Sequence, residues 1–521
     1  MEHVKSLADQ LLAEGVQYAY GITGSGLSLR LIEELHGRGI LYYPVRHEAA
    51  AALMAGASCR SGETRAISIT IKGPGFANLV PGILSNHYEG RPAISVSEAY
   101  GRDAPEWRKH KRLGHFQMIS QVTKGAAEVG GESVHRRHLF ELAKSECPGP
   151  VHLDLCPTPG EYFETFRDDA VKTYSGDLTK LLERIAASSN PVVILGSLAS
   201  RKFPSVDWNS LMIPVVTTAA GKGAIDENSE FSGGVITGEV SELSPEGSIL
   251  TSADLAIGIG LRNDEVVKAA PLGPEVLIID EILGDHHSGF EASVVLSLED
   301  AGSAVESVFR ELKNKSWGND VIHRARLALD THLGGNEWQL AHAFTLFQAS
   351  LPSDTVLVLD TGFFCTVGET VWKAASPSHF CGSSVGRFMG VSIPSAIGVS
   401  ISEPGRPVLC VAGDGGLPPY IAEIEMAVSE HLPIIFANFA DGRYGSVAAF
   451  SGDTAAVHRA VDLGSVDRWK LALALGCPAH RVSDVKSLES LLTAWTPSSG
   501  PLFIQCEFEP LNYARLAKQL R

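Results

Sequence analysis

VLCVAGDGGLPPYIAEIEMAVSEHLPIIFANFADGRYGS, residues 408–446, reads as strand, glycine turn, helix, strand and loop in one unit. A short apolar run that ends in glycines and leads into a helical pattern is the entry to a parallel sheet covered by helices. At the strand's carboxyl end, Gly413, Gly415 and Gly416 let backbone N–H groups come close to a phosphate. Asp414 among them offers a hard oxygen to a metal bridging that phosphate. Asp441 follows just beyond the next strand, PIIFANF, where it can return a second oxygen. Alone, a G-D-G triplet is commonly a tight turn. The strand, helix and second acid in register around it give it chemical meaning.

The same alternation fills the chain three times, so the fold class expected is α/β, with three doubly wound parallel sheets. In the first unit, residues 1–175, ILYYPV (40–45), AISITI (66–71) and AISVS (93–97) are strands and 49–57 is a helix. The charged stretch from Phe163 to Lys180 is its exit linker. The second unit, 185–315, carries PVVILG, IPVVTT, DLAIGIG, VLIID and SVVLSL and closes near Leu312. The third, 335–521, carries TVLVLD, PVLCVAG, PIIFANF and PLFIQCEF, with helices at 421–430 and 488–495.

A chain of 521 residues suits about three domains at roughly 150 residues each. Its 43 basic against 60 acidic residues leave a net charge of −17, and no basic stripe tracks along it, which excludes nucleic acid as the expected partner. The cysteines, Cys59, Cys147, Cys156, Cys365, Cys381, Cys410, Cys477 and Cys506, are dispersed and form no C-x-x-C pair, so they read as buried thiols. The opening MEHVKSLADQLLAEGV is an amphipathic helix with Val4, Leu7, Leu11 and Leu12 on its apolar face, without the apolar core of a secretion signal. No apolar run reaches the roughly 18 residues of a membrane span, so a cytoplasmic location is expected.

A second chemical locus lies in YYPVRHEAAAALMAGA, where a strand gives way to a helix at Glu48. A carboxyl at that junction, among small apolar neighbours, is partly desolvated and suited to sharing a proton with a ring nitrogen. As a plain first-turn glutamate it would serve only the helix dipole.

Together these blocks resemble the thiamine-diphosphate-dependent enzymes, in the superfamily of acetolactate synthase, pyruvate decarboxylase and benzoylformate decarboxylase. The likeness covers G-D-G, the G-P-G-x-x-N segment in IKGPGFANLVPGILSNHYEGRPAISVSE, Gln117 in GHFQMISQVTK, the central TTAAGKGAID and GIGLRNDE, and RFMGVSIPSAIG. It implies pyrimidine-binding, central and diphosphate-binding domains, with thiamine diphosphate and Mg2+ as cofactors. By the resemblance, Glu48 bonds the aminopyrimidine ring and drives ylid formation, and Met389 lies under the bent cofactor. Aligning on Tyr444 and Gly445 puts Ala440 and Asp441 where the family has paired asparagines, with Tyr444 beside the cofactor. Arg443 then stands where a backbone carbonyl binds the metal; a shifted register would use Asn438 in place of Asp441. GIGLRND is similar to flavin-bearing and flavin-free central domains alike, so FAD stays open.

Ser25, in YGITGSGLSL, stands where benzoylformate decarboxylase has a serine on the substrate carboxylate; a turn serine is the alternative. Lys72 departs from the small residue expected before G-P-G, and either pairs a substrate carboxylate or lies exposed at a strand end. His87 and His115 are candidate proton donors, as against satisfied structural histidines, and the paired histidines of pyruvate decarboxylases are absent. The resemblance implies a homodimer or homotetramer whose sites join Glu48 of one chain to Asp414 of another. The implied reaction is decarboxylation of a small 2-oxo acid followed by carboligation to an aldehyde or ketone. The alternatives are simple decarboxylation to an aldehyde and a non-catalytic cofactor-binding subunit.

Overall fold

Strand side chains alternate between the two faces of a sheet, so a strand covered on both sides must be apolar at nearly every position. In the computed structural model this holds for three sheets. Described are residues 2–101, 104–105, 107, 110–129, 133–157, 162–167, 176–282, 289–297, 301–334, 338–464, 466–510, 512–513 and 520.

The first sheet runs β2 (Leu41–Pro44), β1 (Tyr18–Ile22), β3 (Ala66–Thr70), β4 (Ile94–Glu98), β6 (Val151–Leu155), β5 (Gly125–Glu128), β7 (Phe163–Thr165). The second runs β10 (Ser232–Val235), β9 (Val215–Thr217), β8 (Pro191–Leu195), β11 (Leu255–Ile259), β12 (Glu275–Asp280), β13 (Val294–Ser297). The third runs β15 (Phe380–Gly382), β14 (Val356–Leu359), β16 (Val408–Gly413), β17 (Ile434–Ala440), β19 (Leu502–Glu507), β18 (Ala479–Val482). Among the described residues, the strands of the three sheets pair in parallel except β5 with β7, an antiparallel edge. The expected linker beginning at Phe163 is therefore partly strand, and its far end belongs to the Leu178–Ala187 helix. Residues 168–175 of it lie outside the described set.

Each sheet has an apolar cluster on either face. On the third, Val356, Val358, Val408 and Cys410 face one way and Leu357, Leu359, Leu409 and Val411 the other. The first of these clusters is continuous with Tyr20, Ala66 and the Glu48–Ser58 helix of the first sheet, so the first and third units share a core. The central sheet keeps its own two clusters. At the seam, the Glu48–Ser58 helix packs on the Ser392–Ser402 helix so closely that a Cβ on Gly398 would meet the Met54 carbonyl oxygen. Ser58 also donates its hydroxyl to the Gly398 carbonyl at 3.0 Å.

The N-terminal helix spans Glu2–Ala13 and buries Val4, Leu7, Ala8 and Leu11. Leu12, expected on that face, is 47% exposed, and Ala8 takes its place, because Leu7 and Leu11 already fill successive turns of the stripe. The expected helix at 421–430 divides into a 3-10 turn, Pro418–Glu423, and a helix, Ile424–Ser429. Among the described residues, no helix is long and apolar enough to cross a membrane.

Candidate active site

Ligands of doubly wound sheets settle outside the carboxyl ends of the strands, where the strand order reverses. In the third sheet that point lies between β14 and β16, and their ends carry Asp360 and the Gly413–Gly416 turn. In the first it lies between β1 and β3, whose ends lead into the Ser25 loop and into Lys72 and the G-P-G turn. Candidate residues far apart in sequence thus cluster at two crevices.

In the third-sheet crevice, Gly416 and Leu417 donate N–H groups to the Gly413 carbonyl, which closes the turn around Asp414. A Cβ on Gly415 would strike the Tyr444 ring and lie 3.0 Å from Met389 Sδ, so the glycine is required by close approach. Met389 and Tyr444 therefore flank the turn from opposite loops. Asp360, which the sequence reading passed over, is buried and accepts N–H groups from Gly390 at 2.9 Å and from Thr361 at 2.7 Å. The Ser392 hydroxyl donates to it at 2.9 Å, and burial pushes its carboxyl up to about 6. It fixes the Met389–Gly390 bend to the end of β14.

Asp414 Oδ2 accepts N–H groups from Asp441 at 2.9 Å and Gly442 at 2.7 Å, and Oδ1 pairs with Arg468 at 2.7 Å. Asp441 Oδ1 accepts from the Arg443 N–H at 3.2 Å, whereas its Oδ2 is buried with no partner among the described residues. Burial, with repulsion from Asp414, pushes the Asp441 carboxyl up to about 7. Asn438, within β17, turns its amide nitrogen toward the Ala412 carbonyl and Asp414 and keeps a buried Oδ1 with no partner among the described residues. Asp414 and Asp441 line one cavity of about 440 Å3, and their carboxyl oxygens are the hard donors a divalent cation takes. Asp414, Asp441 and the Arg443 carbonyl would hold Mg2+, with Asn438 the other candidate. The Arg443 guanidinium is engaged elsewhere, on Asp462 at 2.9 Å.

In the first-sheet crevice, Glu48 opens its helix behind His47, whose ring nitrogen accepts the Ala49 N–H. Asn78 Nδ2 donates to Glu48 Oε2 at 3.1 Å. A Cβ on Gly75 would lie 3.4 Å from Glu48 Oε1 and 2.5 Å from Thr70 Oγ1, a buried hydroxyl with no partner among the described residues. An unsatisfied hydroxyl and a carboxyl close to one glycine suit a polar ring. The Ser25 loop reaches the same place through Glu98, which accepts from the Ser28 N–H at 2.9 Å and hydroxyl at 2.6 Å and pairs with Lys72 at 3.4 Å. Ser25 itself is exposed. Lys72 is thus held by Glu98, with its ammonium 5.3 Å from the Tyr100 ring centre.

Lys72, His115 and Gln117 line one cavity of about 340 Å3, with Lys111 and Arg112 on the same wall. His115 stacks on Phe76, two residues after Pro74, at 3.8 Å between ring centres. Its Nδ1 meets Asp154 Oδ1 at 2.6 Å, and His152 Nε2 meets the same oxygen at 2.9 Å. Ser95 Oγ lies 2.8 Å from His152 Nδ1. Burial opposes it, but the two ring N–H donors hold the Asp154 carboxyl below its ordinary range, and burial lowers His152. With Nδ1 committed to Asp154, Nε2 is the His115 nitrogen left to exchange a proton. His87 does not join this group. It lies near the other end of the Pro74–Tyr88 helix, 3.3 Å from Arg167, on a different cavity of about 530 Å3.

The turn before Glu48 is tied to the third unit by Glu423, 1% exposed, whose Oε1 accepts the N–H groups of Arg46 at 2.8 Å and His47 at 3.1 Å. Burial pushes this carboxyl up to about 7, from an ordinary 4.5. The folded chain therefore keeps a proton that the unfolded chain has lost, and stability falls as pH rises from about 4.5 to about 7, by at most roughly 3 kcal/mol. Glu423→Gln, which retains an acceptor oxygen, should flatten the melting temperature over that window and leave the variant the more stable at pH 8. Parallel melting curves for the two proteins across pH 5–8 would remove this role.

Glu98, Asp154, His152, Asp360, Glu423 and Arg468 were not singled out from sequence. Glu98 and Asp360 had a signal, an acid at the end of an apolar strand run, and the rest had none.

Two family descriptions match the chain: thiamine pyrophosphate enzyme, N-terminal TPP binding domain, over residues 1–123, and thiamine pyrophosphate enzyme, C-terminal TPP binding domain, over residues 360–506. The catabolic acetolactate synthase of Raoultella terrigena is 26% identical, across 97% of this chain and 94% of its own length. The acetolactate synthase of Bacillus subtilis is 24% identical, across 98% and 93%. A probable 2-ketoarginine decarboxylase of Pseudomonas aeruginosa is also 24% identical, across 95% and 92%.

Proposed function

Because this chain belongs to the thiamine-diphosphate-dependent enzymes of the acetolactate synthase and decarboxylase superfamily, we propose that it decarboxylates a small 2-oxo acid and joins the remaining fragment to a second carbonyl compound. The observation that carries this reading is the cavity lined by Lys72, His115 and Gln117, whose His115 stacks on Phe76, the residue after the Gly75 that approaches Glu48. Lys72, Lys111 and Arg112 on a lining that also carries Glu128 and Asp154 give a carboxylate substrate cations to pair with, and a single proton-exchanging nitrogen suits a reaction in which carbonyl oxygens gain and lose protons. When bound, thiamine diphosphate supplies the carbon nucleophile and the electron sink for breaking the carbon–carbon bond.

The side chains do the rest. Glu48 holds and returns a proton at its carboxyl, steadied by Asn78. Lys72, oriented by Glu98, offers its ammonium to the substrate carboxylate, and the Ser25 loop bounds the same end. His115 Nε2 exchanges a proton in the cavity while Asp154 keeps the ring in place. Mg2+ would be held by Asp414, Asp441 and the Arg443 carbonyl, and the Gly413–Gly416 turn beside them would receive the diphosphate end.

FAD has no place in this reading. At the switch point of the central sheet, the Glu265 carboxylate already accepts from the Ser197 N–H at 2.9 Å and the Thr218 hydroxyl at 2.8 Å. It fills with negative charge the helix start where a dinucleotide's phosphates would lie. The likeness to a 2-ketoarginine decarboxylase supports the second reading, release of an aldehyde. A panel of 2-oxo acids, followed for carbon dioxide with and without aldehyde or ketone acceptors, separates the two. Carbon dioxide release that ignores every acceptor would leave the second, and no release from any substrate would remove both.

Assembly is part of the proposal. Glu48 sits at the first turn of the Pro74–Tyr88 helix, by Gly75 and Asn78, whereas the Met389 bend lies at its last turn, with Phe388 6.0 Å from Tyr88. The helix from Gly75 or Asn78 to Tyr88 separates the two by roughly 15–20 Å within one chain. That span supports a homodimer, or a homotetramer of such dimers, in which each site takes Glu48 from one copy and Asp414 from another. Mixing inactive Glu48→Gln with inactive Asp414→Ala subunits should then restore activity to roughly a quarter of the sites, since half the dimers are mixed and each has one intact site. Proven subunit exchange without recovery would remove the shared site.

A further inference from the structure

Arg468 carries a charge that its own element does not call for. It is the first residue of the Arg468–Ala474 helix, the end at which the backbone dipole disfavours a cation. It is also buried, 5% exposed, where an unpaired guanidinium would be costly. Its partner is across the cavity: Nη1 lies 2.7 Å from Asp414 Oδ1, and Nη2 donates to the Asp414 carbonyl oxygen at 3.2 Å. One guanidinium thus grips both the side chain and the backbone of the residue most suited to hold the metal.

The other acids on that cavity are already matched. Asp462 holds Arg443 at 2.9 Å and Glu507 holds Arg481 at 2.6 Å. Asp441 places an ionisable carboxyl where the resemblance places a neutral asparagine, and its Oδ2 has no partner among the described residues. Arg468 supplies the opposite charge within the same wall. A divalent cation on Asp414 Oδ1 and a guanidinium on that same oxygen repel each other, so the two occupancies are coupled, and the coupling is reciprocal.

We propose that Arg468 is the resident countercation of the metal and diphosphate site: it neutralises Asp414 in the unloaded chain, yields Oδ1 to the divalent cation, and then pairs with the diphosphate. The inference rests on the thiamine-diphosphate reading above. It requires that removing Arg468 move two affinities in opposite directions, which a merely structural arginine would not do. Without Arg468 the metal meets no competitor, but the loaded site lacks one charge for the diphosphate.

The test measures Mn2+ binding to the full-length protein without cofactor, by electron paramagnetic resonance. Thiamine diphosphate binding at saturating Mn2+ is then followed by calorimetry. In Arg468→Gln, Mn2+ should bind about tenfold more tightly and thiamine diphosphate about tenfold more weakly, the scale of one charge-assisted hydrogen bond. Arg468→Lys, which keeps the charge without the second grip, should fall between the two proteins on both measures, and it stands in if the Gln variant does not fold. Both affinities weakening together, or neither changing, overturns the role of Arg468. A wild-type protein that binds neither Mn2+ nor thiamine diphosphate overturns the functional reading itself.

Discussion

Glu48→Gln should lower turnover by a factor of about 10^3 or more while thiamine diphosphate still binds within about threefold of the parent, the range lost when a positioned acid–base group is removed. The amide has the size of the carboxyl and retains an oxygen for Asn78, whose donor sits 3.1 Å away. Neither the close approach at Gly75 nor the helix that opens at Glu48 should change. What goes is the capacity to hold and return a proton. Steady-state rates on the best 2-oxo acid, with cofactor binding measured on the same preparation, decide the matter. Turnover near the parent's would take Glu48 out of the chemistry.

The second large effect is expected at Asp414, and it should have two parts. Asp414→Ala removes the carboxylate best placed for the metal, so cofactor retention should fall by roughly a hundredfold or more, as the diphosphate loses its bridge. It also strands the buried Arg468, a loss of about 3–5 kcal/mol in stability that should appear without any cofactor present. Asp414→Asn separates the parts: its amide oxygen still accepts from Arg468, so the unloaded protein should melt close to the parent while the cofactor is held weakly. If Asp414→Ala melts like the parent without cofactor, the Arg468 pair is not an energetic feature of the fold. If it retains thiamine diphosphate tightly with metal, the metal lies elsewhere.

Much of the fold was legible because buried parallel strands carry unbroken apolar runs, as PVVILG, TVLVLD and PIIFANF do. Strands that lack such runs escaped. In β1, YAYGI, Gly21 is forced by the close passage of the Ile69 carbonyl, and that glycine hides the strand. In β10, SGGV, and β18, AHRV, small or polar residues break the pattern. The candidate site divides in the same way. Asp414 and Glu48 stand at strand–helix junctions, and a junction is a local feature of the sequence. Arg468 and Glu423 act through partners 54 and about 376 positions away, and a single charged residue carries no mark of a distant partner. His115 looked like any lone histidine until the fold brought Asp154 and His152 to it.

The seam between the Glu48–Ser58 and Ser392–Ser402 helices also bears on the order in which the molecule is made. Every residue from Ala49 to Ser58 is buried, and the bond from Ser58 to Gly398 spans 340 positions. A ribosome therefore releases an alanine-rich, apolar helix long before its cover exists, and the central sheet, with cores of its own, can be complete in the interval. Closing so long a loop is slow more than it is costly, since the entropy grows only with the logarithm of its length. During synthesis the face of this helix that later joins the first and third units of one chain stays uncovered until the Ser392–Ser402 helix has been made.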